Sequence, residues 1–487
     1  MGDWKDKLQE LRRSLSGSQP TGAAQNRPAG SAGSPAALQP RQPQAKRYVC
    51  IGFDFGTSST KVVVRLLESR QAFAVPFDGL GNAEHRYLAP TRLAVAADGT
   101  LNLLPSAGAG WIEELKVGLM KAPWESAAVY GGATLVARPA DLVAGYVALV
   151  LDRVFHWFEG NVRPKLGNAE VAWSMNLGIP ARDLDPGPVK EAFLTAALAG
   201  WHLARSKVKA TVDSCAKIVD QARQPGFQPR DIQREELDVI PEVAAGVATY
   251  ALSPARRTGA HLFVDVGATT LDTSVFLLTH ADGEIKYAFL EADVDAERGA
   301  YRLHRHRARE LGRLALKKFE AANPLTPVPE TAAACVPTDD ELASVDRDFK
   351  AGCDKTIGAV VYRARRRDPG LSAPADGKPE PIQVLLSGGG IRLPLYQQAI
   401  SEYGQKAGPG GSLGLRLRPF QEVLIPRPDD LAANGLDSDW QRLAVAYGLS
   451  FRAENIGTFV PPSAIDAMAP PPPPVPVTER YVSKDQM

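Results

Sequence analysis

The chain of 487 residues carries 56 Lys and Arg against 55 Asp and Glu, and 44% of it is hydrophobic. A net charge of +1 gives no strong global field, so neither nucleic acid nor an anionic membrane is written into the charge balance. The length corresponds to roughly three domains' worth of chain. The four cysteines, Cys50, Cys215, Cys335 and Cys353, make no CxxC spacing, and a reducing, cytoplasmic setting is expected. The N-terminus lacks the apolar core of a signal peptide. The longest apolar run, Leu142–Leu151 between Asp141 and Asp152, is far short of the ~20 residues that cross a bilayer.

In chain order, Trp4, Leu8, Leu11 and Leu15 share one helix face behind Asp3, so residues 1–15 read as a short amphipathic helix that needs a docking surface. Residues 16–46, rich in Ser, Gly, Ala, Pro and Gln, read as a disordered linker. Tyr48–Phe53 and Lys61–Leu67 read as a hairpin. Helices follow near 139–158 and 186–204, with a strand at Val171–Ile179 between them. His261–Val266 and Leu271–Leu278 form a second hairpin like the first. A short strand at Val384–Leu386 enters a triple glycine, a helix runs on to about Tyr403, and Gln441–Glu454 reads as one last helix. Residues 458–487, with Pro470–Pro474 and Pro476, read as a Pro-rich disordered tail, either a spacer or a ligand for an aromatic-lined groove.

Three turns carry chemistry. The first, Asp54-Phe55-Gly56-Thr57-Ser58-Ser59, ends a buried strand in a carboxylate that must be paired, hydrogen-bonded or near a metal. Its glycine admits a close backbone approach, and its amides and hydroxyls suit phosphate oxygens. The second, Asp265-Val266-Gly267-Ala268-Thr269-Thr270, repeats that logic. Two such hairpins facing each other would grip a polyphosphate from both sides, with Asp54 and Asp265 holding the waters of Mg²⁺. The third, Ser387-Gly388-Gly389-Gly390-Ile391-Arg392, lets a flat ligand lie on backbone, with Arg392 placed to stack on a base.

These three elements resemble the actin-like ATPase superfamily, and most closely the nucleotide-binding domain of the DnaK-type heat-shock chaperones, over about residues 48–457. Glu114–Leu119 is similar to the family's Lys-Arg-Leu-Ile-Gly segment, and Leu177–Ala181 to its Thr-Val-Pro-Ala. Pro241–Tyr250 is similar to its connecting helix and Leu443–Gly448 to its Ala-Val-Ala-Tyr-Gly return helix. The resemblance implies an α/β, two-lobed actin-like ATPase fold, that is, duplicated ribonuclease-H-like sheets flanked by helices, with disordered tails. Lobe I would span 47–257, with an insertion at about 205–237 holding one helix near Ala210–Arg223. Lobe II would span 258–440, and a return helix, 441–457, would pack on lobe I.

The resemblance further implies ATP or ADP and Mg²⁺ as ligands. Gly56, Thr57, Ser58 and Ser59 would wrap the phosphates from one lobe, and Gly267, Ala268, Thr269 and Thr270 from the other. Asp54, Glu242 and Asp265 would hold hydrated Mg²⁺ and orient the attacking water, and Thr270 would join the catalytic residues. Lys116 would neutralise charge on the transferred phosphoryl group. Gly388, Gly389, Gly390 and Arg392 would hold the adenosine. Ala268 departs from the family's second glycine, and the Glu/Lys/Arg/Ser helix that clamps adenine has no counterpart between Gly299 and Val345, so weaker nucleotide affinity is expected. The residues after Gly457 are not expected to form a peptide-binding domain, so function is expected to run through protein partners docked by the N-terminal helix, the 205–237 insertion or the Pro-rich tail. A nucleotide-stabilised scaffold and a small-molecule kinase are the alternatives. The basic stretches at 302–318 and 362–367 lack interleaved aromatics, which argues against nucleic acid. His304 and His306 would face different sides of a helix and make a poor metal pair.

Overall fold

The computed structural model describes residues 45–80, 86–105, 109–128, 135–312, 318, 331–332, 335, 337–375, 379–433 and 440–468. The expected N-terminal helix, nearly all of the linker and the polyproline run lie outside the described residues. The described residues form a mixed α/β structure on two large sheets that repeat one strand order. The first runs Leu237–Pro241, Glu170–Ile179, Lys46–Phe55, Ser59–Leu66, Gln71–Ala74 and Leu431–Ala432, with Ala89–Pro90 beside Ser59–Leu66. The second runs Phe420–Val423, Ile382–Ser387, Gly259–Val266, Leu271–Ala281, Glu284–Asp295 and Thr458–Val460. Each has three parallel strands, then two antiparallel ones, then a last short strand parallel to its neighbour. Register repeats as well: Asp54 lies opposite Lys61, and Asp265 opposite Asp272.

Local sequence explains the sheets. The central strands are β-branched runs such as Val62-Val63-Val64, fully buried, as strands covered on both faces require. Helices Pro139–Asn161, Pro188–Ser206 and Val212–Ala222 cover the first sheet. Phe155, Phe158, Trp173 and Trp201 interlock edge to face there, with centroids 4.7 to 6.1 Å apart. The expected helix in the insertion is Val212–Ala222, opened by a capping box of Thr211 and Ser214. Its apolar face, Cys215, Ile218 and Val219, is spent on this core, which leaves its polar face outward. Helices Asp339–Arg367 and Pro394–Ala407 cover the second sheet. A third core joins the two halves around Phe263, Tyr250 and Leu449.

Four boundaries differ from the sequence reading. Leu431–Ala432 pairs with Gln71–Ala74 and so returns to the first sheet from inside the span assigned to the second lobe. It is anchored by Asp430, which accepts from Arg65 at 2.6 Å and from Tyr447 at 2.6 Å. The expected single helix at 441–457 is broken into Trp440–Leu443, Ala444–Leu449 and Ala453–Ile456. The break falls at buried Ser450, whose hydroxyl accepts from Arg65 and donates to the Tyr447 carbonyl. The tail expected from 458 begins later. Thr458–Val460 adds a strand beside Glu284–Asp295, with Phe459 on Tyr287 at 5.7 Å, and Pro462 opens the helix Pro462–Met468 as a first-turn proline. The connecting segment is two short helices, Glu242–Gly246 and Ala248–Leu252.

His261 is fully buried between Tyr250, whose hydroxyl lies 3.2 Å from Nε2, and the face of Phe276. Burial lowers its pKa to about 4, against a weaker upward pull from the Gly259 carbonyl. The unfolded chain therefore binds this proton first as pH falls, and stability present above pH 6.5 is lost between 6.5 and about 4. Up to about 3 kcal/mol of unfolding free energy should disappear across that window. Urea titrations at pH 7 and pH 4.5 check this, and His261→Phe should flatten the difference.

Candidate functional site

The three turns line one cleft of about 1280 Å³ between the sheets. Asp54, Gly56, Thr57, Ser58 and Ser59 come from the first, Asp265, Gly267, Ala268, Thr269 and Thr270 from the second, and Gly388, Gly389 and Gly390 from the third. Lys116, on helix Leu115–Lys121, and Glu242, at the head of Glu242–Gly246, meet in the same cleft. Every residue predicted for the site is there except Arg392. After Gly390 the chain passes between buried Ile391 and Leu393 into the helix Pro394–Ala407, and Arg392 does not line the cleft. The position over Gly389 belongs to Arg442, whose guanidinium carbon lies 3.0 Å from where a Cβ on Gly389 would stand.

Each turn is held by its surroundings. The Thr91 amide donates to the Ser58 carbonyl at 2.9 Å, and the Thr60 and Thr91 hydroxyls are 3.1 Å apart. In the second turn the Gly267 amide closes on the Thr270 carbonyl at 2.9 Å. Its outward carbonyls accept from the first amides of the helix Ala300–Leu311: Gly267 from Ala300 at 3.0 Å, and Ala268 from Tyr301 at 2.6 Å. Gly388 has φ 83°, and a Cβ there would run into Asp265 Oδ1 and the Val266 carbonyl, so only glycine lets the third turn seat against the second.

The electrostatics are dominated by acid, with Asp54 buried and Glu242, Asp265 and Asp272 half-buried. Lys61 sits 3.0 Å from Asp54, and Lys116 bonds Glu242 at 2.5 Å. Two further carboxylates, Asp265 and Asp272, share the cleft without a cation at bonding distance among the described residues. Burial raises Asp265 to about 8, and its neighbours Asp272 and Glu242 add to the rise. Burial also raises Glu242 to about 7 against the pull of Lys116, with Asp54 and Asp272 reinforcing it. Asp272 is raised by burial too. Burial opposes the charge on Lys116, but Glu242, Asp272 and Asp54 outweigh it and hold the ammonium protonated.

The buried atoms here without a hydrogen-bond partner include two oxygens, Asp265 Oδ1 and Thr269 Oγ1. An acid surplus and orphaned oxygens are what a cation and a polar ligand would complete. No three Asp, Glu, His or Cys side chains among the described residues converge closely enough to chelate a metal directly. Asp54, Glu242 and Asp265 are the side chains that could hold a divalent cation through its own waters. His304 lines the cleft while His306 packs 5.5 Å from Phe349, so the two histidines do diverge.

Asp272, Lys61 and Arg442 were not assigned from sequence. The signal for the first two lay in the repeat, since the register that sets Lys61 opposite Asp54 sets Asp272 opposite Asp265. Arg442 carried no such signal. A second cavity of about 210 Å³, bordered by Lys121, Pro180 and Arg182, shares Thr57, Lys116, Thr270 and Asp272 with the main cleft, so these four form a thin partition. No helix among the described residues is long and apolar enough to cross a membrane. No protein-family model matches the chain, and no curated protein matches it.

Proposed function

We propose that this chain binds ATP with Mg²⁺ and hydrolyses it, as an actin-like, DnaK-type molecular switch whose two lobes close on the nucleotide and whose state is read by protein partners. One observation carries the reading: two turns of like sequence, on two sheets of like topology, converge on one cleft whose third wall is a triple glycine. The 205–237 insertion, residues 1–15 and the Pro-rich segment after residue 469 are the proposed partner contacts.

In this reading the 56–59 and 267–270 turns hold the phosphates, and Gly388–Gly390 with Arg442 hold the nucleoside. Hydrated Mg²⁺ would neutralise phosphate charge when bound. Asp54, Asp265 and Glu242 would hold the hydrated ion and orient the attacking water, and Lys116 would offset charge developing at the phosphoryl group. A second reading, nucleotide binding with little turnover, is favoured by the bond of the Lys116 ammonium to Glu242 at 2.5 Å. Calorimetric titration with ADP and a non-hydrolysable ATP analogue, with and without Mg²⁺, and a phosphate-release assay separate the two. Micromolar or tighter binding with measurable turnover is expected. Binding without turnover supports the scaffold, and absence of binding removes both readings.

A further inference from the structure

Five lysines and arginines line the cleft, and their commitments differ. Lys61 and Lys116 are spent on Asp54 and Glu242. Arg442 stands over Gly389. Arg305 is exposed on the opposite wall, 5.7 Å from the Tyr301 ring. Arg92 is the remaining one. Its guanidinium carbon is 4.1 Å from the Trp111 ring centroid, a stacking distance that fixes the side chain. Its Nε is buried and has no hydrogen-bond partner, and its guanidinium makes no ion pair among the described residues.

The backbone around Arg92 is fixed against the first phosphate turn. The preceding residue, Thr91, donates its amide to the Ser58 carbonyl at 2.9 Å. Pro90 pairs with Ser59, and Trp111 pairs with Ala94 in the small adjoining sheet. A preorganised, half-buried cation with no acid of its own, beside a turn rich in amides and hydroxyls, is costly unless an anion completes it. The same cleft is lined by six carboxylates, Asp54, Glu113, Glu114, Glu242, Asp265 and Asp272, so a polyphosphate would meet repulsion that the two committed lysines do not cancel.

Resting on the nucleotide reading above, we infer that Arg92, stacked on Trp111, is the half-buried cation without an acid partner that meets the terminal phosphoryl group, and that it sets the preference for a nucleoside triphosphate over a diphosphate. Trp111 is its positioning residue. Lys116 and Lys61 bring their charges to the cleft already paired with Glu242 and Asp54, so Arg92 adds a charge that they do not.

The test is calorimetric titration of the full chain and its variants with ADP·Mg²⁺ and a non-hydrolysable ATP analogue with Mg²⁺. Arg92→Gln should weaken the triphosphate roughly 10- to 100-fold and leave ADP within about twofold, the unchanged ADP affinity reporting an intact fold. Arg92→Lys should recover part of the loss, because it restores charge without the planar fork. Trp111→Leu should weaken the triphosphate to a smaller degree, by releasing the guanidinium. Equal losses for both nucleotides, or no loss for either, overturn the assignment while leaving nucleotide binding in place. A wild-type chain that binds neither nucleotide overturns the nucleotide reading, and this assignment with it.

Discussion

Asp265→Asn is expected to lower ATP turnover roughly 100- to 1,000-fold while making the ligand-free protein more stable at alkaline pH. Both effects have one cause. Asp265 is half-buried near the end of a central strand, its Oδ1 is enclosed and has no partner, and Asp272 and Glu242 are its neighbours. Its folded pKa of about 8 lies above the ordinary carboxylate value, so the folded state holds the proton more tightly than the unfolded chain does. Stability from this group is complete below the ordinary carboxylate range and is lost as pH rises towards 8. The amide is close to isosteric and carries no charge, so the variant should lack that loss. Urea unfolding of both proteins at pH 6 and pH 9 measures it: the wild type should weaken markedly between the two, the variant much less. Mg²⁺ with nucleotide should restore the wild type at pH 9 and do little for the variant. Parallel pH curves would mean that the carboxyl is not the stressed group, and unchanged turnover would remove it from the chemistry.

Much of this site was legible because its signals are local. Acid, glycine and hydroxyls within six residues, between β-branched runs, announce a strand ending in a ligand-facing turn, and both turns lie where their motifs put them. The triple glycine was legible for the same reason. Lys116 and Glu242 are 126 residues apart and were joined only by family resemblance, yet the fold bonds them. Arg392 was misplaced because a residue beside a glycine turn in sequence need not face the ligand. The element that covers Gly389 comes from Arg442, and nothing in either segment records that meeting.

The fold was legible in its hairpins and long helices, where period and β-branching act over many residues. It was illegible where an element is too short to have a period. Leu431–Ala432 and Thr458–Val460 are strands only because a sheet edge offers them partners. The second was further disguised by the prolines after it, one of which starts a helix rather than preventing one. The break at Ser450 depends on Arg65, 385 residues earlier, and a hydroxyl in a helical pattern does not reveal that debt to a distant guanidinium.

The other large effect concerns the joint between the halves. Gly448, in Ala444–Leu449, lies against Glu242–Gly246, and a Cβ there would overlap the Ala245 carbonyl and Cα. The obstruction is backbone, which cannot rotate away, so the two short helices would have to separate. Ala245, Val445 and Leu449 belong to the core that joins the halves, and Glu242 and Val445 line the cleft. Gly448→Val should therefore cost about 3 kcal/mol or more in unfolding free energy. It should also weaken nucleotide binding without touching any residue that meets the ligand. Gly160→Ala is the control: a glycine inside helix Pro139–Asn161 with open space around it, where the added methyl should be neutral or slightly stabilising. Urea midpoints for the two variants, with ADP titrations at a temperature where both are folded, decide the matter. If Gly448→Val unfolds at the wild-type midpoint, the two helices are not in close contact. If it is destabilised but binds ADP as the wild type does, the joint supports the fold without setting the geometry of the cleft.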